Sequence, residues 1–170
     1  MLDWALSKII VSIFTMALVI FSIFVFSAAR EDIDETRLKS LSQEISSRVN
    51  ELSNTHSNST LYFTFRENAS AVELPSEIDG EEYEIRISSS EVSLEAQGKL
   101  ASSDITAEDS ERVHLWDPSQ INYTTNETEL AEIDDEHRYL DLVSGEGFRV
   151  MRCELIVSGE TQYHTFIFED

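Results

Sequence analysis

Residues 33–65, IDETRLKSLSQEISSRVNELSNTHSNSTLYFTF, change their hydrophobic period part-way along. In the first two thirds Ile33, Leu38, Leu41, Ile45, Val49 and Leu52 recur at spacings of five, three, four, four and three. That is a 3.6-residue period, the mark of an amphipathic helix. Arg37, Lys39, Glu44 and Arg48 lie off the stripe. The turn-forming run Asn54-Thr55-His56-Ser57-Asn58-Ser59 ends it. From there the period is two: Leu61, Phe63 and Phe65 alternate with Tyr62, Thr64 and Arg66, as in a half-buried strand. The stripe needs an apolar cover. The chain's own sheet or neighbouring copies can supply it, and the two are compatible.

Downstream the alternation continues. Tyr83, Ile85 and Ile87 read as one strand, and Val92, Leu94 and Ala96 as its hairpin partner across Ser88-Ser89-Ser90. Val113–Trp116 is a shorter candidate. A C-terminal meander follows over Arg138–Val143, Phe148–Val157 and Gln162–Phe168. The tetrad Val-Ser-Gly-Glu occurs at Val143–Glu146 and at Val157–Glu160, predicting two similar tight turns. Residues 104–112 and 117–136 are polar and read as long loops.

Upstream, Ile9 to Ala29 carries no charge over 21 residues. A helix of that length spans ~30 Å, the hydrocarbon core of a bilayer. The sequence therefore predicts one helix over residues 5–54, on the order of 75 Å long if straight. Lys8 and the amino terminus place the tail on the cytoplasmic side and the rest outside, in a single-pass cell-membrane protein. Ser27-Ala28-Ala29 also suits a signal peptidase, and cutting there would release a secreted β-domain. The apolar run exceeds an ordinary signal core, which favours retention. The predicted segments are a short tail and transmembrane helix at 1–29, an amphipathic stalk at 30–56 and an extracytoplasmic β-rich head at 57–170. The fold class is α+β: a long N-terminal transmembrane and amphipathic helix followed by an antiparallel β-sandwich-like head.

The formal net charge is −21, from 33 acidic and 12 basic side chains. Such a surface repels nucleic acid and anionic headgroups. The acids are scattered and only Lys8, Lys39 and Lys99 are lysines, which fits a protein folding in concentrated salt. The single cysteine, Cys153, sits in an apolar run and reads as a buried small hydrophobe.

Four glycosylation acceptors of the form Asn-x-Ser/Thr begin at Asn58, Asn68, Asn122 and Asn126, with none earlier in the chain. No catalytic constellation is evident. His56, His114, His137 and His164 form no metal-ligand pair at helical or strand spacing. Asp134-Asp135-Glu136 with Asp141 lacks the spacing of a calcium loop and reads as a solvated acidic stretch. The expectation is a non-enzymatic protein with no cofactor, no metal and no small-molecule substrate.

The segment Val72-Glu73-Leu74-Pro75, Ile78-Asp79-Gly80, Tyr83-Glu84-Ile85-Arg86-Ile87 and Val92-Ser93-Leu94 resembles a pattern in archaeal type IV pilin-like surface proteins. There a Leu-Pro turn and an Ile-x-Gly step lead into a Tyr-x-Ile-x-Ile strand. The resemblance covers about 25 residues in motif and most of the chain in layout. It implies a structural subunit of an archaeal surface filament, or of the apparatus that anchors one in the envelope. Its partners would be the membrane and other copies or pilin-like subunits, met through Ile33, Leu38, Leu41, Ile45, Val49 and Leu52. Trp4-Ala5-Leu6-Ser7-Lys8 offers Ala5 but lacks the preceding base at which prepilin peptidases cut. A minor or bracing subunit therefore fits as well as a major one. The alternative is a membrane-anchored extracellular binding or adhesion module.

Overall fold

The computed structural model describes residues 15–22, 35–65, 71–106, 112–121 and 123–170. The chain divides into two units, Met1–Asp32 and Ile33–Asp170. In the first, helix α1 is described over residues 15–22. Met16 and Leu18 to Phe21 on it are each more than half exposed.

The long helix expected from the sequence is corrected. Among the described residues, no helix is long and apolar enough to cross a membrane. Helix α2 (Glu35–Ser53) has 19 residues, but it is apolar on one stripe alone. The expected single-pass placement, with the N-terminus inside and the head outside, falls with that helix. Residues 9–14 and 23–29 of the expected span lie outside the described residues.

The second unit is mostly sheet. After α2 come β1 (Ser59–Thr64), β2 (Ala71–Glu73), β3 (Glu84–Ile87), β4 (Glu91–Ala96), β5 (Lys99–Asp104), β6 (Val113–His114) and β7 (Thr124–Thr125). Helix α3 (Glu127–Glu136), β8 (Leu140–Val143), β9 (Phe148–Val157) and β10 (Glu160–Glu169) complete it. One sheet has the order β2-β1-β9-β10-β6, with β7 beside the far end of β9. The other runs β5-β4-β3-β8.

The expectation of purely antiparallel sheets is also corrected. The four-stranded sheet is antiparallel throughout. In the larger sheet, β2 joins β1, β6 joins β10 and β7 joins β9 in parallel. None of these three is reached by a tight hairpin, and parallel neighbours require longer connections.

The two Val-Ser-Gly-Glu tetrads fold differently. Ser158 (φ 53°) and Gly159 (φ 92°) form the two-residue turn that pairs β9 with β10. At Val143–Glu146 only Gly145 has positive φ, and Glu146 Oε2 accepts from the Val143 amide at 2.9 Å. Strands β8 and β9 belong to different sheets, so this turn changes sheet instead of closing a hairpin.

The α2 stripe lies in the main core. Leu38, Ile45 and Val49 are fully buried and Leu41 nearly so, together with Ile85, Val92 and Leu94 of the smaller sheet and Phe63, Phe148 and Ile167 of the larger. Burying each such aliphatic side chain contributes roughly 1.5–3 kcal/mol. The Phe63 and Phe148 rings stack at 4.4 Å. Gly147, just before β9, admits no larger residue, because a Cβ there would lie 2.9 Å from the Phe63 carbonyl oxygen.

A second apolar cluster contains Trp116, Leu130, Cys153, Leu155, Val157, Phe166 and Phe168. Strand β10 serves both clusters. Ile167 joins the first, and Thr165 Oγ1 donates to Ser53 Oγ of α2 at 3.1 Å. His164, Phe166 and Phe168 alternate with them, by the period of two, and Phe166 and Phe168 join the cluster that includes Leu130 of α3.

Candidate functional site

The site grows from the alternation of β10 and its parallel pairing with β6. That pairing sets Phe166 opposite His114 and Thr165 opposite Val113. It carries the His114 ring to 5.1 Å from that of His164 and 4.9 Å from that of Phe166. Trp116, two residues beyond His114, closes edge-on over Phe166 at 4.8 Å.

Helix α3 supplies the remaining member. Asn126 caps it, its Oδ1 accepting from the Glu129 amide at 2.9 Å. Glu127 and Glu129 in the first turn suit the positive end of the helix. Leu130 is the helix's one buried residue, and Asp134 follows four positions later on the same face. Asp134 Oδ1 accepts from Trp116 Nε1–H at 2.8 Å and lies 2.8 Å from His114 Nδ1; Oδ2 lies 3.0 Å from the same nitrogen.

These contacts fix the protons. An ionised carboxylate only accepts, so His114 carries its hydrogen on Nδ1. The neutral ring then presents a lone pair at Nε2. His164 Nδ1, 2.8 Å away, must donate to it. The other nitrogen of His164, Nε2, is left with a lone pair, buried and without a hydrogen-bond partner. Burial drives the His164 pKa down to about 3, helped by repulsion from His114, Arg112 and Arg152 and only partly opposed by Asp134.

Chemically this is an orienting carboxylate, a bridging imidazole and a terminal imidazole. Such a chain fixes the tautomer and the orientation of each ring. Cys153 sits directly opposite His164 across the β9–β10 pair. Burial raises its thiol to about 11, so it stays protonated and is a poor nucleophile near neutrality. A cleft of about 330 Å³ between α3 and β10 is walled by Arg112, Glu127, Asp134, Gln162 and His164.

The residues singled out in the sequence are dispersed. Asn58 is exposed, its Oδ1 accepting from the Glu154 amide at 2.9 Å. Asn126 is exposed and caps α3. Asn68 and Asn122 lie outside the described residues. Leu38, Leu41, Ile45 and Val49 are buried in the chain's own core, Leu52 is half-buried against it, and Ile33 lies outside the described residues. The acidic stretch separates: Asp134 goes to His114 and Trp116, Asp135 to Arg138, and Asp141 to Arg86. Among the described residues no group of three or more His, Cys, Asp or Glu side chains is placed to hold a metal ion.

The Asp134–His114–His164 chain is the feature that sequence reasoning missed. The alternation of Val113-His114-Leu115-Trp116 put His114 and Trp116 on one strand face. No local signal pairs that strand with one 50 residues later. No protein-family model matches the chain, and neither does any curated protein or solved structure.

Proposed function

We propose that this chain is a non-catalytic, pilin-like structural subunit of a surface filament of the archaeal kind, assembled through its N-terminal apolar segment. The supporting observation is the exposure of Met16, Leu18, Val19, Ile20 and Phe21, which cover α1 on all sides. A helix apolar all round is stable only when enclosed. The same segments of other copies are a matching cover, since identical apolar helices pack against one another. The α2 stripe is already occupied by the chain's own sheets, so assembly falls to the segment before it.

The test is sedimentation and electron microscopy of the full chain beside an Ile20→Asp, Phe21→Asp variant. The expected result is large assemblies for the parent, and monomers with unchanged head melting for the variant. Monomeric parent protein at every concentration overturns the proposal. A binding module is the second reading, favoured by the cleft between α3 and β10. It would stand if assembly failed.

A further inference from the structure

We propose that the Asp134–His114–His164 chain is an acid-sensitive latch that holds α3 against the larger sheet and releases it when the histidines take up protons. This is independent of the filament reading. The pairing of β7 with β9 ties down the start of helix α3, and its body has few other attachments. Over ten residues it buries Leu130 alone, with Ile133 partly packed on the second cluster. At the start of the helix Thr125 Oγ1 donates to Glu129 Oε2 at 2.7 Å, and toward its end Asp134 takes hydrogens from both His114 and Trp116.

The neutral state is the one protonation state in which every ring N–H of the pair has an acceptor. A proton added to His164 lands on buried Nε2, which has no acceptor. A proton added to His114 turns its Nε2 into a donor. His164 must then accept at Nδ1 and carry its own hydrogen on Nε2, again with no acceptor. With both rings charged, two N–H groups oppose each other across the 2.8 Å contact and the bond is lost. Each acid form thus leaves a buried donor unmatched, which disfavours the closed arrangement. Releasing α3 lets both rings reach water, so protons bind the open form better and shift the population toward it.

The groups facing His164 act in the same direction on balance. From the β6 side come His114 and Arg112, and from β9 come Arg152 and the neutral thiol of Cys153. From α3 come Asp134 and, across the cleft, Glu127. Gln162 on β10 itself is uncharged. Burial and the cations outweigh Asp134. Opening would uncover Trp116 and the apolar face around Phe166.

Trp4 and Trp116 are the two tryptophans. Full-length protein carrying Trp4→Phe therefore reports on Trp116 alone. Its emission and its far-ultraviolet circular dichroism are followed from pH 7.5 to 4.0 at fixed salt. The expected result is a red shift of Trp116 at a pH where the strand signal is intact. His164→Asn keeps a donor toward His114 Nε2 and takes no proton, so it should move the red shift at least one pH unit lower. Nitrogen-15 spectra of the parent's histidines give a check that needs no His164 variant. At pH 7 His164 should carry its proton on Nδ1 with Nε2 bare, and this pattern should vanish with the red shift. The latch is overturned if Trp116 shows no change, if strand and Trp116 signals are lost together, if the Asn variant keeps the parent's midpoint, or if His164 is protonated on Nε2 at pH 7.

Discussion

The two faces of β10 are held by different means. Toward α2, Ile167 and Thr165 meet a broad apolar core whose stripe residues Leu38, Ile45 and Val49 are fully buried. Toward α3, Phe166 and Phe168 meet a smaller cluster, and beside them His114, His164 and Asp134 form a hydrogen-bonded chain. Apolar burial is non-directional and insensitive to protons. A buried polar chain holds only in the protonation state that satisfies it. One strand therefore carries a pH-independent face and a pH-dependent one.

The largest expected effect comes from breaking the apolar face. Ile45→Ala leaves a cavity among both sheets and should cost about 2–5 kcal/mol, read as a lower urea midpoint for the whole head. Breaking the polar face should cost less. Asp134→Ala strands His114 Nδ1–H and Trp116 Nε1–H, for about 1–3 kcal/mol. Its signature is a red-shifted Trp116 with the strand signal retained. A global loss equal to that of Ile45→Ala would remove the distinction between the faces.

Acid sharpens the comparison further. His164 has a pKa of about 3 when folded against an ordinary 6.5. The folded form binds fewer protons, so the stability of the neutral ring is present in full above 6.5. It declines as pH falls through the window from 6.5 toward 3, by at most ~1.4 kcal/mol per pH unit. Urea melts at pH 6.5 and 5.5 should show a decline that His164→Asn reduces. The smallest effect lies on the outer surface of the smaller sheet. Arg86 and Asp141 pair there with both side chains more than half exposed. Asp141→Asn should leave the urea midpoint almost unchanged.

Much of this layout was legible in the chain. The period change near residue 60 marked the passage from α2 to β1, and the C-terminal alternation marked β9 residue for residue. Helix α3 was hidden because ETELAEIDDE offers only Leu130 and Ile133 as large apolar side chains. Its signal was the cap, Asn126 followed three residues later by Glu129. Strand β5 was hidden because Leu100 points outward and the small Ala101 inward, so its pattern reads as polar. The apolar N-terminal run was read as a bilayer span because hydropathy registers apolarity without saying what covers it. The histidine chain was out of reach for a topological reason. Parallel pairing of β6 with β10 leaves no turn signal, since it sets Val113 beside Thr165 and His114 beside Phe166, far apart in the chain.

Native-state hydrogen exchange at pH 7.0 and 5.0, corrected for intrinsic rates, tests the contrast between the two faces most directly. Core amides of α2 and β9 should exchange through global unfolding, whereas those of α3 should exchange through a smaller local opening. Lowering the pH should reduce the opening free energy of α3 more than that of α2. Equal opening free energies for α2 and α3 at both pH values would contradict the account.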